Sequence, residues 1–145
     1  MKLNLEMAVA DEIVQIALGI RPPQVTLVPE KRTEVTTEGG LDVIGHKDRI
    51  RDVVRRLQDA GIEVSLFIDA DRDQIEMSKT LGAQAVELHT GRYADAALGV
   101  EQARELEQLR ECGAFAIQQG LVLHMFLLFL HGFSFYSHFL TYLLF

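Results

Sequence analysis

HKDRIRDVVRRLQDAGIEVSLFIDADRDQIEMSKTLGAQAVELHT (46–90) contains the alternation that decides the fold. Ile50, Val53, Val54 and Leu57 recur at helical spacing, and Gly61 closes the stretch at a position suited to a left-handed C′ residue. IEVSLFID (62–69) then changes to a period of two, as a strand does. Asp71 suits an N-cap, with Gln74 three residues on in the manner of a capping box, and this second helix runs to Gly82. AVELHT (85–90) is the next strand.

The same alternation extends in both directions. VTLV (25–28) is short and β-branched. VADEIVQIALG (9–19) leads a helix with Ile13, Ile16, Ala17 and Ile20 as its apolar stripe, and LNLEM (3–7) is a strand. Downstream, a helix over about 99–119 carries Ala103, Leu106, Leu109, Ala116 and Ile117 and stops at Gly120. Strand–helix units of this spacing pair in parallel through right-handed crossovers. About four βα units are legible, whereas a closed (βα)8 barrel takes about 250 residues. Residues 1–120 therefore read as a partial (βα)8 TIM-type barrel domain. The alternative is a flavodoxin-like open sheet.

At position 121 the composition breaks. All 14 basic and 21 acidic residues lie before it, while six of the eight phenylalanines and two of the three tyrosines lie after it. LVLHMFLLFLHGFSFYSHFLTYLLF (121–145) reads as an apolar, helical tail, long enough to span a bilayer but without the basic flank of a cytoplasmic boundary. A frame-shifted or read-through terminus explains it better than an anchor. His124, His131 and His138 recur every seven residues, but no acid or cysteine accompanies them, so a metal stripe is not expected. Glu6 interrupts what would be the apolar run of a secretion signal. The single cysteine, Cys112, excludes an internal disulfide and points to a reducing compartment. A formal charge of −7 argues against nucleic acid or an anionic membrane surface as partner, but leaves room for small phosphorylated substrates.

In a parallel barrel, alternate strand residues face the interior and chemistry gathers at the C-terminal strand ends. Leu3, Leu5 and Met7 oppose Asn4 and Glu6; Val64, Leu66 and Ile68 oppose Ser65, Phe67 and Asp69; Val86 and Leu88 oppose Glu87 and His89. The apolar sets suit a helix layer, which turns Glu6 and Glu87 into one cavity. Acids buried together in a cleft have the raised or split pKa values that general acid–base chemistry needs. Pairing of each acid with an interior Arg or Lys is the structural alternative. The stretch PEKRTEVTTEGGLDVIG (29–45) is a second signal: 17 residues where βα loops usually take about 2–6. With Lys31, Arg32, Thr36, Thr37 and the pair Gly39–Gly40, it has the donors that suit a phosphate monoester. Asp69 and Asp71 could pair on a metal, but Asp71 is better read as the helix cap. His46 belongs to a helix start, and His89 faces inward at a strand end. Cys112 has no reactive context.

NLEMA (4–8), LVPEKR (27–32), EVTTEGGLDV (34–43), VSLFIDAD (64–71) and ELHTGRYADA (87–96) together closely resemble pyridoxine 5′-phosphate synthase, in order across residues 3–120. The resemblance implies a (βα)8 barrel that assembles into a cytoplasmic homo-octamer. It further implies condensation of 1-deoxy-D-xylulose 5-phosphate with 3-amino-2-oxopropyl phosphate, without metal or organic cofactor. On it, Glu6 matches the catalytic glutamate that accepts protons, Glu87 the glutamate that stabilises the transition state, and Thr36 a contact to the deoxyxylulose phosphate. The family's earlier strands carry an Asn, an Asp-His pair, a His and an Arg that have no counterpart here. A later glycine–histidine motif stands where this chain has LVLHMFLLFLHG. The chain is thus expected to be a truncated synthase, inactive alone; the alternative is a membrane-tethered, non-enzymatic half-barrel.

Overall fold

The computed structural model describes residues 3–30 and 39–125. Strands β1 (Asn4–Ala8), β2 (Gln24–Val28), β3 (Glu63–Ile68), β4 (Ala85–Leu88) and β5 (Val122–Met125) form one parallel sheet in the order β1-β2-β3-β4-β5. Between them lie α1 (Asp11–Ile20), α2 (Lys47–Asp59), α3 (Arg72–Thr80), a short α4 (Gly91–Asp95) and α5 (Val100–Gln118). Strictly sequential order decides between the two fold readings. When every crossover has the same hand and each strand is laid beside the last, all helices land on one face. A doubly wound sheet needs a reversal of strand order, and the described sheet has none. The chain is a partial TIM-type barrel.

Register shows which side chains make the core. Met7, Leu27, Leu66, Val86 and Leu123 align across all five strands on the helix-covered face. Val25, Leu27, Val64, Leu66, Ile68, Val86 and Leu88 are fully buried there, against Ile50, Val53, Val54 and Leu57 of α2 and Ile75 of α3. That α2 stripe is the one its spacing predicts. At 25 cal/mol per Å², each of these side chains contributes roughly 1.5–3 kcal/mol by leaving water.

The outer helices depart from their predicted stripes. In α1 the buried residues are Val14 and Ala17, while Ile16 and Ile20 are exposed. This helix packs on β1 and α2 at the end of the row, so only one flank is covered among the described residues. In α5, Leu109, Cys112, Gly113 and Ala116 are buried, and Leu106 and Ile117 are about half exposed. Helical spacing marks which residues can share a face, but the neighbour present decides which face is buried.

Beyond position 120 the structure corrects the reading of a helical tail over its first residues. VLHM is a strand, because Leu121 and Leu123 pack inward while Val122 N–H bonds Gln84 O at 3.0 Å and the ladder on β4 continues to Met125. His124 is therefore on a strand and does not share a helical face with His131 and His138, which lie outside the described residues together with the rest of 126–145. No helix among the described residues is long and apolar enough to cross a membrane.

Candidate functional site

On the face away from the helices, Glu6, Thr26, Ser65, Ala85 and Val122 form one row, and Phe67, Glu87 and His124 form another. Glu6 and Glu87 thus share the sheet face that their parity predicts. Glu87 lies one layer closer to the C-terminal strand ends, three strands away from Glu6. The expected burial differs: Glu6 is exposed and Glu87 half-buried, because the described strands make an open sheet and not a closed cleft. Between them the face is polar but tightly packed. Thr26 is fully buried and its hydroxyl donates to Asn4 Oδ1 at 3.1 Å. Ser65 Oγ is also buried, with no hydrogen-bond partner among the described residues. Thr36, the third predicted site residue, lies outside the described residues, as do Lys31, Arg32 and Thr37.

At the strand ends the structure assembles a group that the sequence showed only in pieces. Asp69 follows β3 and His89 follows β4, both with interior parity, and Asp69 Oδ1 lies 3.2 Å from His89 Nδ1. The His89 ring stands edge-on to Phe67, with centroids 5.2 Å apart. The same Oδ1 accepts the Gly40 N–H at 2.9 Å. The His89 hydrogen bond, and after it the Gly40 N–H and the nearby Arg92 charge, hold the Asp69 carboxyl below the ordinary value of 3.8, against the opposing effect of burial. Asp69, His89, Arg92, Tyr93, Arg104 and Gln108 line an open cavity of about 440 Å³ at this end. The pairing could have been found by asking which polar residues end adjacent strands on the same parity.

Other expectations resolve simply. Asp71 caps α3, accepting from Asp73 N–H at 2.8 Å and Gln74 N–H at 3.1 Å. The capping box is not reciprocal, however. Gln74 turns away and accepts from Val43 N–H at 2.8 Å while donating to Asp42 at 3.1 Å. His46 occupies the N-cap position of α2 without capping it through its side chain. Cys112 is buried in the core, and burial pushes its thiol up from the usual range. Among the described residues, no three His, Cys, Asp or Glu side chains converge as a metal site.

The depressed Asp69 carboxyl makes a pH-dependent contribution with a definite sign. A carboxylate with a lowered folded-state pKa stabilises above its unfolded value, and that contribution fades as pH falls through the folded value. Here the fading lies below about pH 3.8. His89 and Arg92 are the charged groups that act on Asp69, and Asp71, Asp73, Arg104 and Glu105 line the same cavity. Urea unfolding of the parent chain and of Asp69→Asn, compared from pH 7 down to about pH 2, is expected to give stabilities that differ at neutral pH and approach one another below pH 3.8. A difference that stays constant with pH would show that the carboxylate's charge is not what matters.

A sequential parallel sheet, helices on one face, polar residues on the other and a cavity at the C-terminal strand ends define a βα-barrel protein of the TIM type. Residues 1–127 match the family described as PdxJ, pyridoxal phosphate biosynthesis protein PdxJ, and the chain belongs to that family. Among solved structures it is similar to a xylose isomerase domain protein from Planctomyces limnophilus (12% identity, TM-score 0.53, covering 86% of this chain and 53% of the other). Weaker likenesses are to a beta-arabinopyranosidase (14% identity, TM-score 0.49, 79% of this chain and 19% of the other) and to dihydropteroate synthase from Anaplasma phagocytophilum. The latter is 15% identical with a TM-score of 0.46, over 86% of this chain and 66% of the other. The chain spans about half the length of the xylose isomerase domain protein that it matches.

Proposed function

We propose that this chain carries the central part of a pyridoxine 5′-phosphate synthase, the enzyme of vitamin B6 biosynthesis that condenses 1-deoxy-D-xylulose 5-phosphate with 3-amino-2-oxopropyl phosphate. The observation that carries the reading is the family match over residues 1–127, on a chain whose register sets Glu6 and Glu87 on one sheet face. In this reading Glu6 accepts protons during condensation and ring closure. Glu87 offsets positive charge that develops in the transition state, and Thr36 contacts the deoxyxylulose phosphate. No metal or organic cofactor takes part. The complete enzyme is a cytoplasmic homo-octamer, and the residues that bind and activate substrate from its other strands are supplied by barrel segments outside residues 3–120.

Taken alone, residues 1–145 are accordingly expected to be inactive. Losing groups that touch the reacting atoms costs orders of magnitude in rate for each group. Purified chain given both substrates is expected to form no pyridoxine 5′-phosphate. A chimera tests the converse, with residues 3–120 replacing the matching segment of a full-length family member. It should keep synthase turnover comparable to its parent. A chimera that folds and assembles but does not turn over would overturn the reading, and turnover by the chain alone would overturn the claim that it is inactive.

A further inference from the structure

We propose that Asp69 is a positioning residue, which clamps the C-terminal half of the β2–α2 connection and the His89 ring to the end of β3 in one fixed arrangement. Three observations bear on this. First, a single carboxylate oxygen holds both partners, Gly40 N–H at 2.9 Å and His89 Nδ1 at 3.2 Å, so the connection and β4's end are tied through one atom. Second, the fit leaves no slack. A Cβ on Gly40 would collide with the backbone of Ile68 and Asp69, and one on Gly39 would lie 2.6 Å from Asp69 Oδ2. Gly40 is required by close approach to backbone and not by backbone angle, whereas at Gly39 the nearest atoms are those of the Asp69 carboxylate itself. Third, the chain beyond them is secured in the same direction. Leu41 N–H bonds Phe67 O at 2.7 Å, Gln74 holds Val43 and Asp42, and the Leu41 and Val43 side chains are buried.

A βα connection of this length would lose considerable entropy on ordering, and loops ordered at catalytic faces are where binding groups sit. Among the described residues the contacts that offset that cost include the charge-assisted hydrogen bonds at Asp69, the Leu41–Phe67 backbone bond and the burial of Leu41 and Val43. Thr36 lies just three residues before Gly39 in sequence. The clamp therefore fixes where the described half of the connection, from Gly39 on, stands at the end of β3, beside the cavity that Asp69 and His89 line. That this placement bears on sugar-phosphate binding rests on the reading given above; the clamp itself does not.

The full chain is used for the test. Amide hydrogen exchange followed residue by residue in Asp69→Ala is expected to accelerate at Gly40–Val43 by about 10–100-fold, the effect of one lost charge-assisted hydrogen bond. Exchange at Leu27, Leu66 and Val86 should stay as slow as in the parent. Asp69→Asn keeps the shape and a neutral acceptor, and should show a smaller rise at the same residues; it also carries the test should the alanine variant not fold. Unchanged exchange at Gly40–Val43, or a uniform rise that includes the core strands, would overturn the clamp, the second result making Asp69 a general stability residue. In parallel, 1-deoxy-D-xylulose 5-phosphate is titrated calorimetrically into the full-length chimera described above and into the same Asp69 variants of it, where the remaining binding residues are present. Affinity weakened in step with the exchange is expected. Affinity unchanged despite accelerated exchange would overturn the link from clamp to binding. A chimera that folds but binds no sugar phosphate would count against the proposed function, while the exchange measurements would still decide the clamp.

Discussion

Replacing by glutamine the residue that matches Glu6, in a full-length family member with the same NLEMA and ELHTG strings, is expected to lower turnover by roughly 10²–10⁴-fold with little change in substrate binding. Glutamine keeps the size and hydrogen-bonding capacity of the side chain but cannot accept a proton at neutral pH. The same change at the residue matching Glu87 should also depress turnover, through lost stabilisation of developing positive charge. If Glu6 served only as half of an ion pair in the barrel wall, its replacement would mainly cost stability, about 3–5 kcal/mol for a buried pair broken on one side. The measurement therefore combines single-turnover rates with melting curves. Near-normal rates with a sharply lowered melting temperature would make Glu6 structural and remove the acid–base assignment.

Leu66→Ala is expected to cost about 2–5 kcal/mol of stability. Leu66 is fully buried at the centre of β3, in the row that runs Met7, Leu27, Leu66, Val86, Leu123. A cavity there has strands on both sides and helices above, so the surroundings cannot collapse into it. Small domains are stable by only about 5–15 kcal/mol in total, so this one change removes a large share. Leu98→Ala makes the matched control, because Leu98 is 83% exposed and its loss should fall within about 0.5 kcal/mol. Urea unfolding of both variants checks the pair. Equal, small effects would mean that the β3 row is not the core of the folded chain.

Much of the architecture is legible in the sequence, for a specific reason. The period-two runs at 25–28, 62–69 and 85–90 and the stripe Ile50–Val53–Val54–Leu57 are local patterns, and both faces of each element are written in residues adjacent in sequence. The strand bounds accordingly agree within a residue or two, and Glu6 and Glu87 came out on one face from parity alone. Where a neighbour decided the outcome, sequence spacing misjudged it. Ile16 and Ile20 look like core and are exposed, because α1 has α2 on one flank and no described helix on the other. Residues 122–125 look like the start of an apolar helix and instead extend the sheet, because the free edge of β4 offers them a ladder.

The sequence by itself determined the βα alternation, the parallel sheet, the family and the common face of the two glutamates. These follow from side-chain period and from strings specific enough to recognise. Only the tertiary structure decided that Asp69 and His89 meet and that Gly40 is pressed against the end of β3. It likewise showed that Gln74 leaves its cap to hold the connection, and that Glu6 stands exposed on an open sheet. Those outcomes depend on residues 20 to 32 positions apart being brought within hydrogen-bond distance by strand pairing. A local period carries no information about which distant backbone N–H will find which carboxylate.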